Sequence, residues 1–282
     1  MPSLVEPSTL YLVATPIGNL ADLTARAIEV LKAVDCIACE DTRHSRVLLE
    51  SYGVGTPTTS LPAFAEGARA EGLVERLKSG QSLALISDAG SPAISDPGER
   101  LVAECVAAGV RVVPVPGPSA VVAALSASGL PASRFHFLGF LPRTQSEARA
   151  MLDEVAGLSA TLVLYESPRR VVETLLLLHE VLGDRLACVA RELTKLHEEF
   201  LRGSLSSLHQ TLAARGEVLG EVVVLVQGRA PGARWSEAEV TAALTAGLAR
   251  GERLKTLSNE LAKAAGWPSQ DVYRLGVSMK SR

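Results

Sequence analysis

Leu10-Tyr11-Leu12-Val13-Ala14, running directly into Thr15-Pro16-Ile17-Gly18-Asn19, is the stretch that decides the fold. Five apolar residues without polar alternation suit a strand buried on both faces, the kind that parallel sheets use. Pro16 and Gly18 end that run, and a helical pattern follows over about Leu23–Val34. The order is therefore strand, tight turn, helix. It recurs downstream. Leu83–Ile86 ends in Ser87-Asp88-Ala89-Gly90-Ser91-Pro92, and Val110–Val115 ends in Pro116-Gly117-Pro118-Ser119 before a helical pattern over Ala120–Ser128. Short Val/Leu/Ile strands feeding helices predict an α/β protein whose sheet is mostly parallel and covered on both faces.

A second series starts near Arg134, with strands expected at Phe135–Phe140, Thr161–Tyr165, Ala187–Arg191 and Glu221–Gln227. Helical segments are expected at about Glu147–Ala156 and Arg169–Leu182, with a helix or turn near Ser206–Ala214. Gly129-Leu130-Pro131-Ala132-Ser133 and Gly228-Arg229-Ala230-Pro231-Gly232 are the natural breaks. The expected division is thus an α/β domain over 8–128, a second over 129–230, and a small all-helical module over 234–282. In that module Ser236 and Glu239 form a capping box, a helix spans Leu254–Ala265, and Gly266 stops it before a third helix begins after Pro268.

The 282 residues are 47% hydrophobic and 21% charged, which excludes a disordered chain. With aromatics at only 4%, the cores must be built from Ala, Val and Leu. Net charge is −3, but residues 234–282 hold eight Lys/Arg against five Asp/Glu, so a +3 module follows a −6 body. That asymmetry suits either a polyanionic partner or an ordinary solvated helical surface. No run reaches the roughly 18 apolar residues of a membrane span, and no basic-then-apolar leader opens the sequence. Four cysteines fit a reducing compartment, with the cytoplasm expected. Cys36 and Cys39 form a C-x-x-C inside the apolar run Ala33–Cys39, with no second pair to make a zinc site, so no metal is expected.

The familiar nucleotide and hydrolase signatures are missing. There is no G-x-x-x-x-G-K-[ST], no G-x-G-x-x-G opening a helix after a strand, no H-E-x-x-H and no G-x-S-x-G. What remains is three small-residue turns after strong strands, Thr15–Leu20, Ser87–Pro97 and Pro114–Ala120. Ligands of open α/β sheets bind at the carboxyl ends of the strands, where small residues let main chain approach them. Tight connection geometry explains any one such turn; three in one half point to a shared ligand crevice.

These residues also carry a resemblance. Leu10 to Thr24, Glu40-Asp41-Thr42-Arg43, Ser87 to Pro92, Pro116 to Ala120, Tyr165-Glu166-Ser167-Pro168-Arg169-Arg170 and Ala190-Arg191-Glu192-Leu193-Thr194-Lys195 occur in that order. Together they resemble the ribosomal RNA small subunit methyltransferase I family, a branch of the tetrapyrrole (class III) methylases. The resemblance covers about residues 10–228. It implies a two-domain α/β homodimer holding S-adenosylmethionine between its halves and methylating a cytidine ribose 2′-oxygen in the decoding region of 16S rRNA. It also implies cofactor contacts at Pro16, Ala89, Gly90, Ser91, Ile94, Ser119, Ala120, Tyr165 and Leu193. One segment departs from the family. Where a His-acid-His-Asn-Glu run is usual, this chain has Pro62-Ala63-Phe64-Ala65-Glu66, and only the Glu survives.

Methyl transfer to a ribose hydroxyl needs positioning and a proton acceptor. Glu40, Asp41, Glu166 and Glu192 sit at strand ends; Asp41 is the expected base, with Glu166 and Glu192 its competitors. Arg43, Arg169, Arg170, Arg191 and Lys195 suit phosphate gripping, or salt bridges at a domain or dimer interface. In the tail, Arg250, Arg253, Lys255, Lys263, Arg274 and Lys280 suit RNA, while Trp267 and Tyr273 fit core better than base stacking. Two other functions remain open: a class III methylase of a small molecule such as a tetrapyrrole precursor, and a non-catalytic RNA-binding assembly factor.

Overall fold

The structure is a computed structural model, and it describes residues 5–230 and 235–280. Residues 231–234, which hold the end of the expected break at 228–232 and the first residue of the expected helical module, and the side chain of Lys280 lie outside what is described. The chain divides into two compact units. One runs to Ala123 and also takes Glu192–Glu198; the other runs from Ala124 to Arg191 and takes the chain again from Glu199 onward.

The first unit is built on β1 (Thr9–Val13), β2 (Cys36–Cys39), β3 (Thr58–Ser60), β4 (Leu83–Ile86) and β5 (Arg111–Val115). They lie in the order β3-β2-β4-β1-β5, and every pairing is parallel. The helices between them are α1 (Ala25–Ala33), α2 (Thr42–Ser51), α3 (Glu66–Lys78) and α4 (Glu99–Ala107), with α5 (Ala120–Ala127) after β5. Pro114 lies in β5, an edge strand, where its missing N–H costs no ladder bond. Side chains alternate between two cores. Tyr11, Val13, Ile37, Cys39, Ala84 and Ile86 pack on one face, and Leu10, Cys36, Ala38, Leu83 and Leu85 on the other. Cys36 and Cys39 therefore project to opposite sides of β2 and cannot share an ion. Cys105 on α4 and Cys188 in the second unit are also buried and free.

From β1 the chain crosses to β2 on the far side of β4; from β4 it crosses to β5 beyond β1. Winding thus reverses between β1 and β4, and the carboxyl ends of these two strands form the switch-point crevice of an open α/β sheet.

The second unit holds β6 (Phe135–Phe140), β7 (Thr161–Glu166), β8 (Leu186–Arg191), β9 (Glu199–Ser204) and β10 (Val222–Val226), in the order β6-β7-β10-β8-β9. Here the parallel expectation fails. Only β6 and β7 run parallel; β10 is antiparallel to both β7 and β8, and β8 and β9 form an antiparallel pair. Val222–Val226 is central and entirely buried, so its sequence is the same apolar run whichever way its neighbours point. The helices α6 (Gln145–Val155), α7 (Val171–Leu182) and α8 (Leu205–Ala214) complete a core rich in Leu and Val.

Three helices close the chain: α9 (Glu237–Ala249), α10 (Leu254–Ala265) and α11 (Ser269–Lys280). The expected capping box is present at Ser236 and Glu239, and Gly266 ends α10 with φ +64°. These helices belong to the second unit and dock onto it through Trp235. Its ring lies over the Arg229 guanidinium at 5.0 Å and against Gly157, where any Cβ would collide with it. Arg229 also pairs with Glu239 at 2.8 Å. Truncation of the ring, Trp235→Ala, is expected to loosen this docking by about 3–5 kcal/mol, within the range for emptying a large aromatic site. Hydrogen exchange should then show faster opening of α9–α11 while β6–β10 keep their protection. Uniform loss across both would mean that the helices are not docked through this ring.

Candidate active site

At the switch point, Thr15 and Gly90 continue past the ends of β1 and β4 as an isolated antiparallel bridge. The Thr15 N–H donates to the Gly90 carbonyl at 2.8 Å, and the Gly90 N–H to the Thr15 carbonyl at 3.1 Å. The Thr15 hydroxyl donates to the Ser87 carbonyl at 3.0 Å, and the Ser87 hydroxyl to the Gly90 carbonyl at 3.0 Å. On the other side, the Ala14 N–H reaches the Val115 carbonyl at 3.3 Å. The ends of three strands are thereby tied to one another by main chain.

Two glycines are required there. Gly90 has φ +82°, which side-chain-bearing residues rarely adopt. A Cβ on Gly117 would stand 3.0 Å from the Ala14 Cβ and 3.3 Å from its carbonyl oxygen. Pro16, Ala89, Gly90, Ser91, Ile94, Ser119 and Ala120 are all brought to this edge of the first unit. Leu193 is buried in the same unit, its carbonyl close to Gly18. Tyr165 belongs to the second unit, where its ring meets Phe137 edge-on at 4.9 Å and Phe140 at 5.5 Å.

The loop from β4 to α4 is held under strain. Ala93 and Ser95 take left-handed backbone at φ +66° and +62°, each costing about 1–3 kcal/mol, and such residues persist only where surroundings over-determine them. Glu66 supplies that constraint. One of its carboxylate oxygens accepts the N–H groups of Gly98, Arg100 and Leu101 at 3.0, 2.9 and 3.2 Å, capping α4 from another segment. The one residue that survives from the altered family run thus anchors this loop.

The loop brings Asp88 and Asp96 towards Glu40, which follows β2. Burial, then the charges of Glu40 and Asp88, push the Asp96 carboxyl up to about 6. Burial and the same kind of repulsion also raise Glu40. One Asp88 oxygen, Oδ1, is buried without a hydrogen-bond partner. The sequence reading had Glu40 but missed Asp88 and Asp96 as a group. The available signal was the repeated Ser-Asp turn, Ser87-Asp88 and Ser95-Asp96.

The other expected acids are engaged. Asp41 caps α2, accepting the Arg43 N–H at 2.8 Å, and that bond, with the Arg43 guanidinium, holds it below the usual carboxylate range. Glu166 has no exposed side-chain surface; it accepts the Ser167 N–H and the Thr174 hydroxyl, each at 2.7 Å. Arg170 lies 3.7 Å from it and donates to the Leu141 and Pro142 carbonyls, so this pair braces the second unit. Glu192, at φ +51°, pairs with Lys195 at 2.9 Å. Arg191 donates to the Leu219 carbonyl and shares Glu199 with Arg215. Arg43 and Arg169 face solvent. In the tail, Trp267 donates its indole N–H to the Trp235 carbonyl at 2.6 Å and packs with the core, whereas Tyr273 is exposed. Arg250 and Arg274 pair with Glu252 and Asp271; Arg253, Lys255 and Lys263 are exposed. Among the described residues, no group of three or more His, Cys, Asp or Glu can hold a metal, and no helix is long and apolar enough to cross a membrane.

The family model for tetrapyrrole (corrin/porphyrin) methylases matches residues 9–209. A Mesorhizobium japonicum protein named ribosomal RNA small subunit methyltransferase I is 47% identical over 277 residues, 98% of this chain and 93% of its own. Among solved structures, a diphthine synthase shares the fold with a TM-score of 0.61 at 18% identity, covering 95% of this chain and 99% of its own. A Thermus thermophilus uroporphyrin-III C-methyltransferase, complexed with S-adenosyl homocysteine, gives 0.56 at 19% identity over 78% and 97%.

The raised Asp96 carboxyl has a measurable consequence. Folded protein holds this proton more tightly than unfolded chain, so stability is lost as pH rises from the ordinary 3.8 through about 6. At pH 7.5 the charged carboxylate destabilises the fold, and Asp96→Asn is expected to gain about 1 kcal/mol after solvent screening. Urea midpoints taken at several pH values should show that gain shrinking below pH 6 and vanishing near pH 4. A gap independent of pH would mean that Asp96 has an ordinary proton affinity.

Proposed function

Because the chain belongs to the tetrapyrrole (corrin/porphyrin) methylase family, in its ribosomal RNA small subunit methyltransferase I group, we propose that it methylates the ribose 2′-oxygen of a cytidine in the decoding region of 16S rRNA, using S-adenosylmethionine. The observation that carries this reading is the crevice tied by Thr15 and Gly90 in a chain so close to rRNA methyltransferases along almost its whole length.

The edge fits the cofactor chemically. Asp88 Oδ1 is a buried acceptor lacking a donor, and S-adenosylmethionine carries ammonium, hydroxyl and amino donors. Gly90 and Gly117 leave main chain where side chains would otherwise stand. When bound, the cofactor supplies a methyl group on a sulfonium. The turns containing Pro16, Ala89 to Ser91, Ile94, Ser119 and Ala120 then set its position, and orientation is the larger contribution to the rate.

The second requirement is a place for the hydroxyl proton. Proton affinity near the working pH makes the better base, so Asp96 is the preferred acceptor and Asp41 the competitor. In this reading Glu166 and Glu192 hold Arg170 and Lys195 in place, and the exposed Arg43 and Arg169 meet phosphates. The working form is a homodimer in the cytoplasm. A small-molecule methylase remains the alternative within the family.

Purified protein should transfer tritium from labelled S-adenosylmethionine to small-subunit RNA and not to a porphyrin precursor, with nucleoside mass spectrometry finding 2′-O-methylcytidine. In single turnover, Asp96→Asn should slow the reaction by about 10²–10⁴-fold with cofactor affinity retained. If Asp41→Asn gave that loss and Asp96→Asn did not, the proton acceptor would be Asp41. Transfer to the porphyrin precursor alone would overturn the RNA reading.

A further inference from the structure

Phe64 is 93% exposed in a protein with five phenylalanines, yet its backbone is firmly held. It lies on a 3-10 turn, Ala63–Ala65, between β3 and α3. Upstream, the Leu61 N–H donates to the Cys39 carbonyl at 2.7 Å, the Ser60 hydroxyl donates to the Glu40 carbonyl at 3.1 Å, and the Leu61 side chain is completely buried. Downstream, Glu66 is fastened to the first turn of α4. The ring therefore projects from a segment pinned beside Glu40 at one end and beside Gly98 at the other. Gly98 ends the acidic loop described above, and Glu40 is one of the charges that act on its Asp96.

Guanidinium groups border the same segment. Arg69, exposed on α3, donates to the Ser60 carbonyl, and Arg100 lies against Gly67, where a Cβ would collide with it. An exposed aromatic ring on a segment touched by guanidinium groups at Ser60 and Gly67, the second of them also paired with Glu104 at 2.8 Å, matches the way proteins hold unpaired nucleotides, with a base stacked on the ring and cations beside the phosphates.

We propose that Phe64 is the stacking platform for an unpaired base of the RNA substrate, with Arg69 and Arg100 beside the adjoining phosphates. The inference rests on the RNA reading above and deepens it. Phenylalanine carries no titratable atom, so it cannot replace the missing imidazoles in proton transfer. It does keep their flat face. In this chain the 61–66 segment acts by holding RNA, and the proton leaves by another route.

Binding of a single-stranded oligonucleotide of the decoding-region sequence, carrying 2-aminopurine, tests this directly. Phe64→Ala should weaken binding by about 5- to 150-fold, the range for losing one stacked base, and raise KM for RNA with cofactor affinity unchanged. Phe64→Trp should keep the affinity and show indole quenching when RNA is added. Phe64→Leu should behave like the alanine variant, because it retains apolar area but has no π face. Equal binding by the parent and the Phe64→Leu variant, or an alanine variant within about twofold of the parent, would overturn the platform. So would a change of oligomeric state in Phe64→Ala without RNA, which would place the ring against a second copy of the chain. Failure of the RNA methylation reading is separately visible as a parent protein that binds the oligonucleotide and transfers no methyl group.

Discussion

Thr15 and Gly90 exchange both of their backbone hydrogen bonds just where β1 and β4 stop being strands. A parallel pair normally splays at its carboxyl end, because each strand turns off into its own helix. Here two residues on one side and a Ser-Asp-Ala-Gly turn on the other are locked together, with the Thr15 hydroxyl satisfying the Ser87 carbonyl and the Ser87 hydroxyl adding a second bond to the Gly90 carbonyl. All of this polar main chain is buried, where an unmade bond costs about 1–3 kcal/mol. The lock therefore gives the switch point one geometry. Placement of Gly90, of the strained loop behind it, and of Asp88 and Asp96 all follows.

That loop shows how one carboxylate can serve another. Glu66 gives its charge to three N–H groups at the start of α4 and fixes the far end of the loop. With both ends fixed, Asp96 stays buried beside Glu40 and Asp88, and burial first, then repulsion, appears as a higher proton affinity. Strain at Ala93 and Ser95 is offset by the same attachments.

Much of the scaffold was legible in the chain. Leu83–Ile86 and Phe135–Phe140 are strands residue for residue, Leu254–Ala265 is a helix as read, and Leu10–Ala14 differs from β1 by one residue at each end. These segments carry strong apolar patterning or explicit stop signals. β3 was not legible, being only Thr58-Thr59-Ser60, nor was β9, whose Glu199 and Arg202 suit an edge strand but hide its period. Missing β9 concealed the antiparallel half of the second sheet. At the candidate site, the turns could be read because Gly, Pro and Ser announce them. The proton affinity of Asp96 could not, because it comes first from burial and then from the charges of Glu40, which follows a different strand, and Asp88. The sequence likewise left Arg170 and Arg191 open between phosphates and salt bridges; both turn out to be tied to carbonyls and carboxylates of their own unit.

The four sulfhydryls give the molecule an internal reporter. Cys36 and Cys39 point into different faces of the first sheet, Cys105 is on the buried side of α4, and Cys188 sits in the second unit. Burial keeps Cys39, Cys105 and Cys188 as neutral thiols, Cys105 at about 11. None of them reacts without the surrounding core opening. Alkylation rates resolved by site would therefore clock the breathing of each half of the protein on its own, without any label being engineered in.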